Sequence, residues 1–355
     1  MNTLEEALHY PWGAELPAAG SALSLAPGLA WLRMELPFAL NHINLWLLRD
    51  EIDGRQGWSV IDTCVDNPQA RAQWEQVIAQ EMQGLPVLRV LATHMHPDHL
   101  GLAHWLCEQF SAPLWISAGD FLTARLAVLQ HDSYGGQPMV DFFTRHGMKN
   151  SQVLENVFGR KGQYAHLVPK VPDQYRRLQD GQMLTISGRR WRCISGFGHS
   201  PEHMALYCDD PGLAQPVLIS GDMVLPRIST NISLLATEPE GNPLQLFLDS
   251  LEKFLPLPEK TLVLPSHGRP FVGLHERIKQ LRDHHRDRLE EVMQSCAEHP
   301  RCAADIVPVM FKRTLDAHQT AFALGESMAH LNLLWHAGAL RRQADAHGVL
   351  RFAPA

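Results

Sequence analysis

Residues 93–101 of the chain are Thr93-His94-Met95-His96-Pro97-Asp98-His99-Leu100-Gly101, and they follow directly on an apolar run at 87–92. Such a run predicts a buried strand, whose end fixes the position of the first two histidines. Proline is suited to the first position of a helix, whose first turn then carries the aspartate and the third histidine. Three imidazoles and a carboxylate so close together suit zinc, iron or manganese, and the predicted ligands are His94, His96, Asp98 and His99.

Other short apolar runs surround this stretch and predict further buried strands. They alternate with helical patterns at 67–83 and 100–110, which is typical of a layered α/β fold. The predicted strands lie at 44–48, 58–62, 87–93, 114–117, 191–195, 217–220 and 261–264.

The composition excludes several classes of protein. The chain has 355 residues with 45% hydrophobic and 19% charged, which is unlike disordered or fibrous sequences. A net charge of −7 argues against binding to nucleic acid or anionic lipid by net field alone. No secretory signal or membrane-spanning stretch is expected. Six cysteines without a CxxC pair favour free thiols, so we expect a cytoplasmic protein.

Two segments differ from the α/β pattern. Between 119 and 181 the strand signals stop and helices are predicted at 121–130 and 139–146, which indicates a helical insertion. Its aromatic residues either line a pocket or pack the inserted helices together, and packing is favoured. These residues are Tyr134, Phe142, Phe143 and Tyr164.

The second segment is the C-terminal part at 273–355, which we expect to be separate from a catalytic domain at 1–272. It combines a charged helix at 274–297, helices at 303–312 and 322–337, and two short strands joined by a turn at 347–348, which is a winged-helix outline. Eleven Lys and Arg stand against ten Asp and Glu between 276 and 351. This balance favours packing or dimerisation over DNA binding. An apolar helix face at 328–335 is either a dimer surface or part of this unit's own core.

The stretch at 93–101 resembles the HxHxDH motif of the metallo-β-lactamase superfamily, and that family's later motifs follow in order. They are Phe197-Gly198-His199-Ser200-Pro201-Glu202-His203, Ile219-Ser220-Gly221-Asp222 and Leu264-Pro265-Ser266-His267-Gly268. The resemblance covers about residues 30–270. It implies a four-layer αβ/βα sandwich with two divalent metal ions at one edge.

The resemblance also implies which residue holds which metal. The first metal would be held by His94, His96 and His199, and the second by Asp98, His99 and His267, with Asp222 shared by both. Two such metals activate a water molecule as nucleophile and polarise a carbonyl or phosphoryl oxygen, so no serine or cysteine nucleophile is needed. Asp98 is the candidate to accept or relay the proton.

Residues near these motifs support weaker expectations. Asp62 matches a family position that orients a metal-bound histidine, and His203 fits a supporting histidine that is not itself a ligand. Arg227 either binds an anionic substrate group or forms a surface salt bridge. Cys64 stands where the family usually has glycine, so either the turn geometry or the local packing is expected to differ.

Three functions remain open from the sequence. The favoured one is a metal-dependent hydrolase acting on a small thioester or related ester, similar in its motifs to glyoxalase II. The second is an endoribonuclease or phosphodiesterase, suggested by the winged-helix outline. The third is a ligand-binding protein that keeps the metals without turnover. Zinc is the first expectation for the metal, with iron and manganese as alternatives.

Overall fold

Two β-sheets face each other in the structure, a computed structural model that describes residues 3–38, 40–129 and 134–355. Within those ranges the first sheet has seven strands in chain order: β1 (Ala22–Ala26), β2 (Leu29–Glu35), β3 (His42–Ile52), β4 (Arg55–Ile61), β5 (Val87–Leu91), β6 (Leu114–Ser117) and β7 (Tyr175–Leu178). The strands β1 to β4 are antiparallel to their neighbours, and β4 to β7 run parallel.

The second sheet has the order β13-β12-β11-β10-β9-β8 among the described residues. Its strands are β8 (Met183–Ile186), β9 (Arg189–Gly196), β10 (His203–Cys208), β11 (Val217–Gly221), β12 (Leu262–Pro265) and β13 (Phe271–Val272). Only the pair β11 and β12 is parallel. Each of the seven strands predicted between residues 44 and 264 overlaps one of these thirteen.

Helices lie on the outer faces of both sheets and also form the insertion and most of the C-terminal unit. They are α1 (Thr3–Glu6), α2 (Pro68–Gln80), α3 (Pro97–Leu100), α4 (Ala103–Phe110), α5 (Ala118–Leu129), α6 (Gly136–Arg145), α7 (Ser151–Gly159), α8 (Gln163–Leu167), α9 (Pro243–Glu252), α10 (Leu274–Glu298), α11 (Ala303–Met310) and α12 (Ala317–His336). A hairpin of β14 (Leu340–Ala344) and β15 (Leu350–Pro354) follows α12.

The layers are held together by separate apolar clusters. Between the sheets, Trp31 and Trp46 of the first sheet are fully buried in one cluster with Trp191 of the second. Trp74 of α2 lies in a cluster on the outer face of the first sheet, and Phe247 of α9 in one on the outer face of the second. Each such side chain contributes roughly 1.5–3 kcal/mol on burial. This order of layers confirms the predicted αβ/βα sandwich.

The insertion is mainly helical, as predicted, but the expectation that strand signals stop throughout 119–181 is wrong at one place. Residues Tyr175–Leu178 form β7, which pairs in parallel with β6 at the edge of the first sheet. Two of its four residues are exposed arginines, so the segment lacks the apolar run by which a strand is recognised. The predicted helix at 121–130 corresponds to α5, and Gln130 lies outside the described residues.

The C-terminal unit packs against the insertion. Phe142 and Phe143 of α6 share an apolar cluster with Ile306 of α11 and Phe352 of β15, so these aromatic residues serve packing, as the sequence favoured. The apolar face at 328–335 begins with Met328, which is fully buried within the same chain. Among the helices of the described residues, none is both long and apolar enough to cross a membrane.

Candidate metal centre

The segment after β5 leads directly into the short helix α3 and carries four of the predicted ligands. Pro97 occupies the start of α3, as its preference for the first helical position predicts. His94 and His99 are fully buried, whereas His96 and Asp98 are partly exposed. The strand end and the helix start therefore hold these side chains at one rim of the first sheet.

Three imidazole nitrogens converge at the first predicted metal position. His94 Nε2 lies 2.8 Å from His96 Nδ1, and His199 Nε2 lies 3.1 Å from His96 Nδ1 and 3.2 Å from His94 Nε2. Ligands on a tetrahedral zinc, each about 2.0–2.1 Å from the ion, would be about 3.4 Å apart. The observed triangle is slightly tighter than that and fits one ion of this size.

The second predicted position combines Asp98, His99 and His267. Asp98 Oδ2 lies 3.6 Å from His99 Nε2 and 3.4 Å from His267 Nε2. Each of these groups offers one ligand atom within 4.8 Å of the others. The structure therefore brings together a second set of donors from α3 and from the loop after β12.

Asp222 lies between the two positions, at the end of β11. Its Oδ1 atom is 3.6 Å from His99 Nε2 and 3.5 Å from His267 Nε2, whereas its Oδ2 atom is 3.3 Å from His199 Nε2. One carboxylate oxygen thus faces each donor set. This is the arrangement by which a single carboxylate bridges two metal ions.

Two buried atoms in the centre support metal binding independently of the motif. His99 Nε2 and Asp222 Oδ1 are buried without a hydrogen-bond partner among the described residues. An orphaned buried polar atom is costly, at roughly 1–3 kcal/mol or more. A cation between the two atoms would satisfy both of them, so the donor set fits divalent metal.

The protonation states of His96 and Asp98 suit metal ligands. At His99 and His267, by contrast, burial is outweighed by the neighbouring carboxylates, which raise the pKa, so a metal must displace a proton from those two rings. Burial and the neighbouring imidazoles lower the pKa of His96 to about 3, which keeps its ring neutral. Burial raises the pKa of Asp98, but the adjacent His99 and His267 outweigh it and bring the value to about 2. Neutral imidazole and ionised carboxylate are the forms that coordinate metals.

Asp62, at the end of β4, supports the first motif. Its Oδ2 atom lies 2.8 Å from His99 Nδ1, and its Oδ1 atom accepts the Thr93 N–H at 2.7 Å. It is fully buried. The contact fixes the His99 ring so that Nε2 points into the centre, which is the role expected of a carboxylate behind a metal-bound histidine.

Cys64 follows two residues later, at the position where the turn geometry or the local packing is expected to differ from the family's. Its φ of 71° lies in the left-handed region that favours glycine. The side chain is fully buried and its thiol contacts the Glu35 carbonyl at 3.8 Å. The chain therefore keeps a glycine-like turn with a cysteine, at a cost of roughly 1–2 kcal/mol.

The second ring nitrogens of two ligands are held by main-chain carbonyls. His199 Nδ1 lies 2.8 Å from the Asn231 carbonyl, and His267 Nδ1 lies 2.8 Å from the His42 carbonyl. The buried His203 accepts the Asp222 N–H at Nε2, at 3.2 Å, and it contributes no atom to the donor sets. It lies behind Asp222, as its predicted supporting role requires.

Arg227 is the predicted site residue that the structure places outside this constellation. Its side chain is 71% exposed, and its Nε atom lies 3.9 Å from a carboxylate oxygen of Glu5. Of the two roles predicted for it, the surface ion pair is the one with a contact in the structure.

One residue that supports the centre was not predicted from the sequence. Asn44, fully buried on β3, donates from Nδ2 to the carbonyls of Pro265 and Gly268, at 2.8 and 3.1 Å. These bonds tie the loop that carries His267 to the first sheet. The signal was present, because a polar asparagine in a buried strand requires partners.

The family model described as "Metallo-beta-lactamase superfamily" matches residues 40–267, and a second, described as "Metallo-beta-lactamase-like, C-terminal domain", matches 289–355. The chain belongs to the metallo-β-lactamase superfamily. The first match spans all seven predicted ligands, and the second spans most of the C-terminal unit.

Solved structures of the superfamily show the same architecture. A β-lactamase domain protein from Burkholderia ambifaria is 51% identical, with 100% of both chains covered and a TM-score of 0.92. A metallo-β-lactamase family protein from Thermus thermophilus is 28% identical over 94% of this chain and 100% of that one, with a TM-score of 0.75. Both similarities extend into the C-terminal unit.

Curated relatives carry hydrolase names. A probable metallo-hydrolase, YqjP, from Bacillus subtilis is 23% identical and covers 85% of this chain and 91% of its own length. A hydroxyacylglutathione hydrolase from Prochlorococcus marinus is 24% identical over 66% of this chain and 71% of its own length. Together with the family match, these names establish the chain as a metallo-hydrolase of the superfamily.

Proposed function

We propose that this metallo-β-lactamase superfamily member uses two divalent metal ions to hydrolyse a small thioester or related ester. The observation that carries the proposal is the position of Asp222, whose two carboxylate oxygens face two separate donor sets. A shared carboxylate is the feature that distinguishes a two-metal hydrolytic centre from a single structural metal site, in which all ligands close around one ion.

Each side chain has a defined task in this proposal. His94, His96 and His199 hold the first ion, and Asp98, His99 and His267 the second. When bound, the two ions lower the pKa of water and polarise the substrate carbonyl. Asp98 is the residue that accepts and passes on a proton, because it is a ligand-set carboxylate that remains partly exposed.

The thioester is proposed on the strength of a relative and of the donor set. The relative from Prochlorococcus marinus is named for hydrolysis of hydroxyacylglutathione, an acyl-thioester. This chain also has aspartate at 222, where several true β-lactamases carry cysteine, which argues against antibiotic hydrolysis as its natural role. Fold alone does not choose among substrates, so the chemistry must be tested directly.

The test is a hydrolysis panel with zinc-, manganese- and iron-loaded protein. The panel contains acyl-thioesters, lactones, phosphodiesters, RNA and a cephalosporin, and Asp222→Ala serves as the blank. We expect thioester turnover that the blank loses. Cleavage of RNA or phosphodiester alone would overturn the thioester assignment in favour of a nuclease. Two bound metals without turnover of any substrate would favour a ligand-binding protein.

The metal and the compartment belong to the same proposal. We infer that zinc is the natural metal. Metal analysis of protein purified without added ions tests this, with iron and manganese as the competing outcomes.

A cytoplasmic location is supported by the six cysteines, which are all unpaired thiols in the structure. A small molecule is the proposed partner in place of nucleic acid, and a homodimer would show as a doubled mass in light scattering.

A further inference from the structure

A buried carboxylate in the first turn of α5 connects the two loops that carry the first metal's ligands. Asp120 is 0% exposed. Its Oδ1 atom accepts the Met95 N–H at 2.8 Å, and its Oδ2 atom accepts the Glu202 N–H at 2.6 Å. Met95 lies between His94 and His96, and Glu202 follows His199 by three residues. One side chain thus joins the segments that supply all three nitrogens of the first position.

The carboxylate itself is fixed by its surroundings. The Ser117 hydroxyl donates to Asp120 Oδ2 at 3.2 Å and accepts the Asp120 N–H at the same distance. No lysine or arginine among the described residues forms an ion pair with it. A buried carboxylate without a cation depends on N–H and O–H donors for its stabilisation, so its geometry follows theirs closely.

The peptide at Met95 is also held from its other side. The Tyr164 hydroxyl of α8 donates to the Met95 carbonyl at 2.6 Å, and Tyr164 is itself buried. Both backbone groups of the residue between His94 and His96 are therefore fixed, one by α5 and one by α8. Neither partner belongs to the motifs that define the metal centre.

We propose that Asp120 is a positioning residue for the first metal, acting by holding the loops of His94, His96 and His199 at one spacing, with Tyr164 as its weaker counterpart. The inference rests on the two-metal centre of the proposed function.

Asp120 would affect binding at the first metal position selectively, although its side chain belongs to neither donor set. Apart from Ser117, Asp120 bonds to main-chain groups that flank ligands of the first donor set, so the first position should be affected. The second position should not, because its ligands Asp98 and His99 lie beyond Pro97 on α3.

The experiment is a zinc titration of metal-free protein against a competing chelator, with bound zinc counted by mass spectrometry. His199→Ala and His267→Ala identify which binding step belongs to which position. Asp120→Asn replaces one of the two accepting carboxylate oxygens with an NH2 group. This group is itself a donor, and it would face a main-chain N–H without an acceptor between them. We expect the substitution to weaken the step lost in His199→Ala by about 10–100-fold, and to leave the step lost in His267→Ala unchanged.

The matched control is Asp50→Asn, which alters another buried carboxylate that bonds to Ser59 and Arg89 and to no ligand loop. It should lower the melting temperature without changing either zinc step. Tyr164→Phe removes one hydroxyl and should weaken the first step in the same direction by less, which preserves the test if Asp120→Asn does not fold.

Equal weakening of both steps by Asp120→Asn, or no weakening, would overturn the inference and leave the two-metal centre intact. Failure of the unaltered protein to bind two zinc ions would instead overturn the proposed function on which it rests.

Discussion

The described residues contain two clusters of buried histidine, and three or more potential ligand atoms converge in only one of them. The first combines five ligand imidazoles with Asp62, Asp98 and Asp222. The second joins α10 to α12, where His285 Nδ1 lies 3.2 Å from His330 Nε2, and His330 Nδ1 lies 2.8 Å from the Glu326 carbonyl. Among the described residues, no third ligand atom converges with that pair.

The difference between the clusters lies in their carboxylates. In the first, burial lowers the pKa of His99, but Asp62, Asp98 and Asp222 outweigh it and raise the value to about 9. In the second, burial and the neighbouring imidazoles lower the pKa of His285 to about 2. Imidazoles surrounded by carboxylates form a cation site, whereas buried imidazoles alone become neutral parts of a core. The high number of histidines in the chain, twenty, is therefore a weaker indication of a metal site than the proximity of some of them to aspartates.

The largest effect on metal binding and hydrolysis is expected at Asp222, whose carboxylate is shared by the two donor sets. Asp222→Ala should lose both metals and reduce hydrolysis by more than the ~100-fold typical of supporting residues, since it removes a ligand from each ion. Metal counting and kcat/KM measure this. His330→Ala, which removes an imidazole of the second cluster, is the control and should keep two metals. Two retained metals in Asp222→Ala would show that the bridging assignment is wrong.

A smaller effect is expected at Asp62, which orients His99 without contacting metal. Asp62→Asn keeps the size of the side chain but weakens the acceptor at His99 Nδ1. We expect about 10–100-fold weaker binding of the second metal, measured by chelator competition. The first metal's step should stay within about twofold. Equal loss at both positions would mean that Asp62 acts on the whole fold.

The second cluster allows a pH experiment that is independent of metal. Burial raises the pKa of Glu326 from 4.5 to about 7, although Arg288 partly opposes it. The folded state then binds this proton more tightly than the unfolded state, so the associated stability is present below about pH 4.5 and is lost as the pH rises through 7. A shift of this size corresponds to about 3 kcal/mol.

Glu326→Gln removes this pH-dependent loss. Relative to the unaltered protein, its free energy of unfolding should rise between pH 5 and pH 8 by up to that amount, as measured by urea denaturation of metal-free protein. A difference between the two proteins that is the same at both pH values would contradict the burial argument.

The smallest effect is expected at the exposed Arg227. Arg227→Ala should leave both metals bound and change the free energy of unfolding by less than about 0.5 kcal/mol, as for most exposed positions. Metal analysis and urea denaturation check this. An increased KM with unchanged metal content would assign the guanidinium to the substrate, and lost metal would contradict its placement outside the centre.

The parts of the fold that the sequence predicted are those with a local signal. The stretch at 93–101 carries four ligands in adjacent positions, so its chemistry is visible without a structure. His199, Asp222 and His267 lie on separate loops of the second sheet, and only the family resemblance connected them. Local sequence patterns do not predict that these residues meet, because their meeting depends on how the two sheets face each other.

Two of the strands that were not predicted have sequences that oppose their structure. The strand β2, with the sequence Leu-Ala-Trp-Leu-Arg-Met-Glu, and the strand β10, with His-Met-Ala-Leu-Tyr-Cys, are rich in residues that favour helices, and burial between layers overrides that preference. Asp120 offered no signal either. An aspartate in the first turn of a helix is ordinary, and its bonds to Met95 and Glu202 exist only once α5 lies against both loops.

The parallel pairing of β6 with β7 has a consequence for how this protein can change over time. Everything between Ser117 and Tyr175 is an excursion whose two ends are fixed by the sheet. Doubling the length of a flexible loop costs only about 0.6 kcal/mol of closure entropy, so the connections between the helices of this excursion can lengthen at little cost. The helices α6 and α7 are themselves constrained, because they pack against the C-terminal unit. A replacement would also remove both Asp120 and Tyr164, so lineages that exchange this segment must find another acceptor for the Met95 N–H and another donor for its carbonyl.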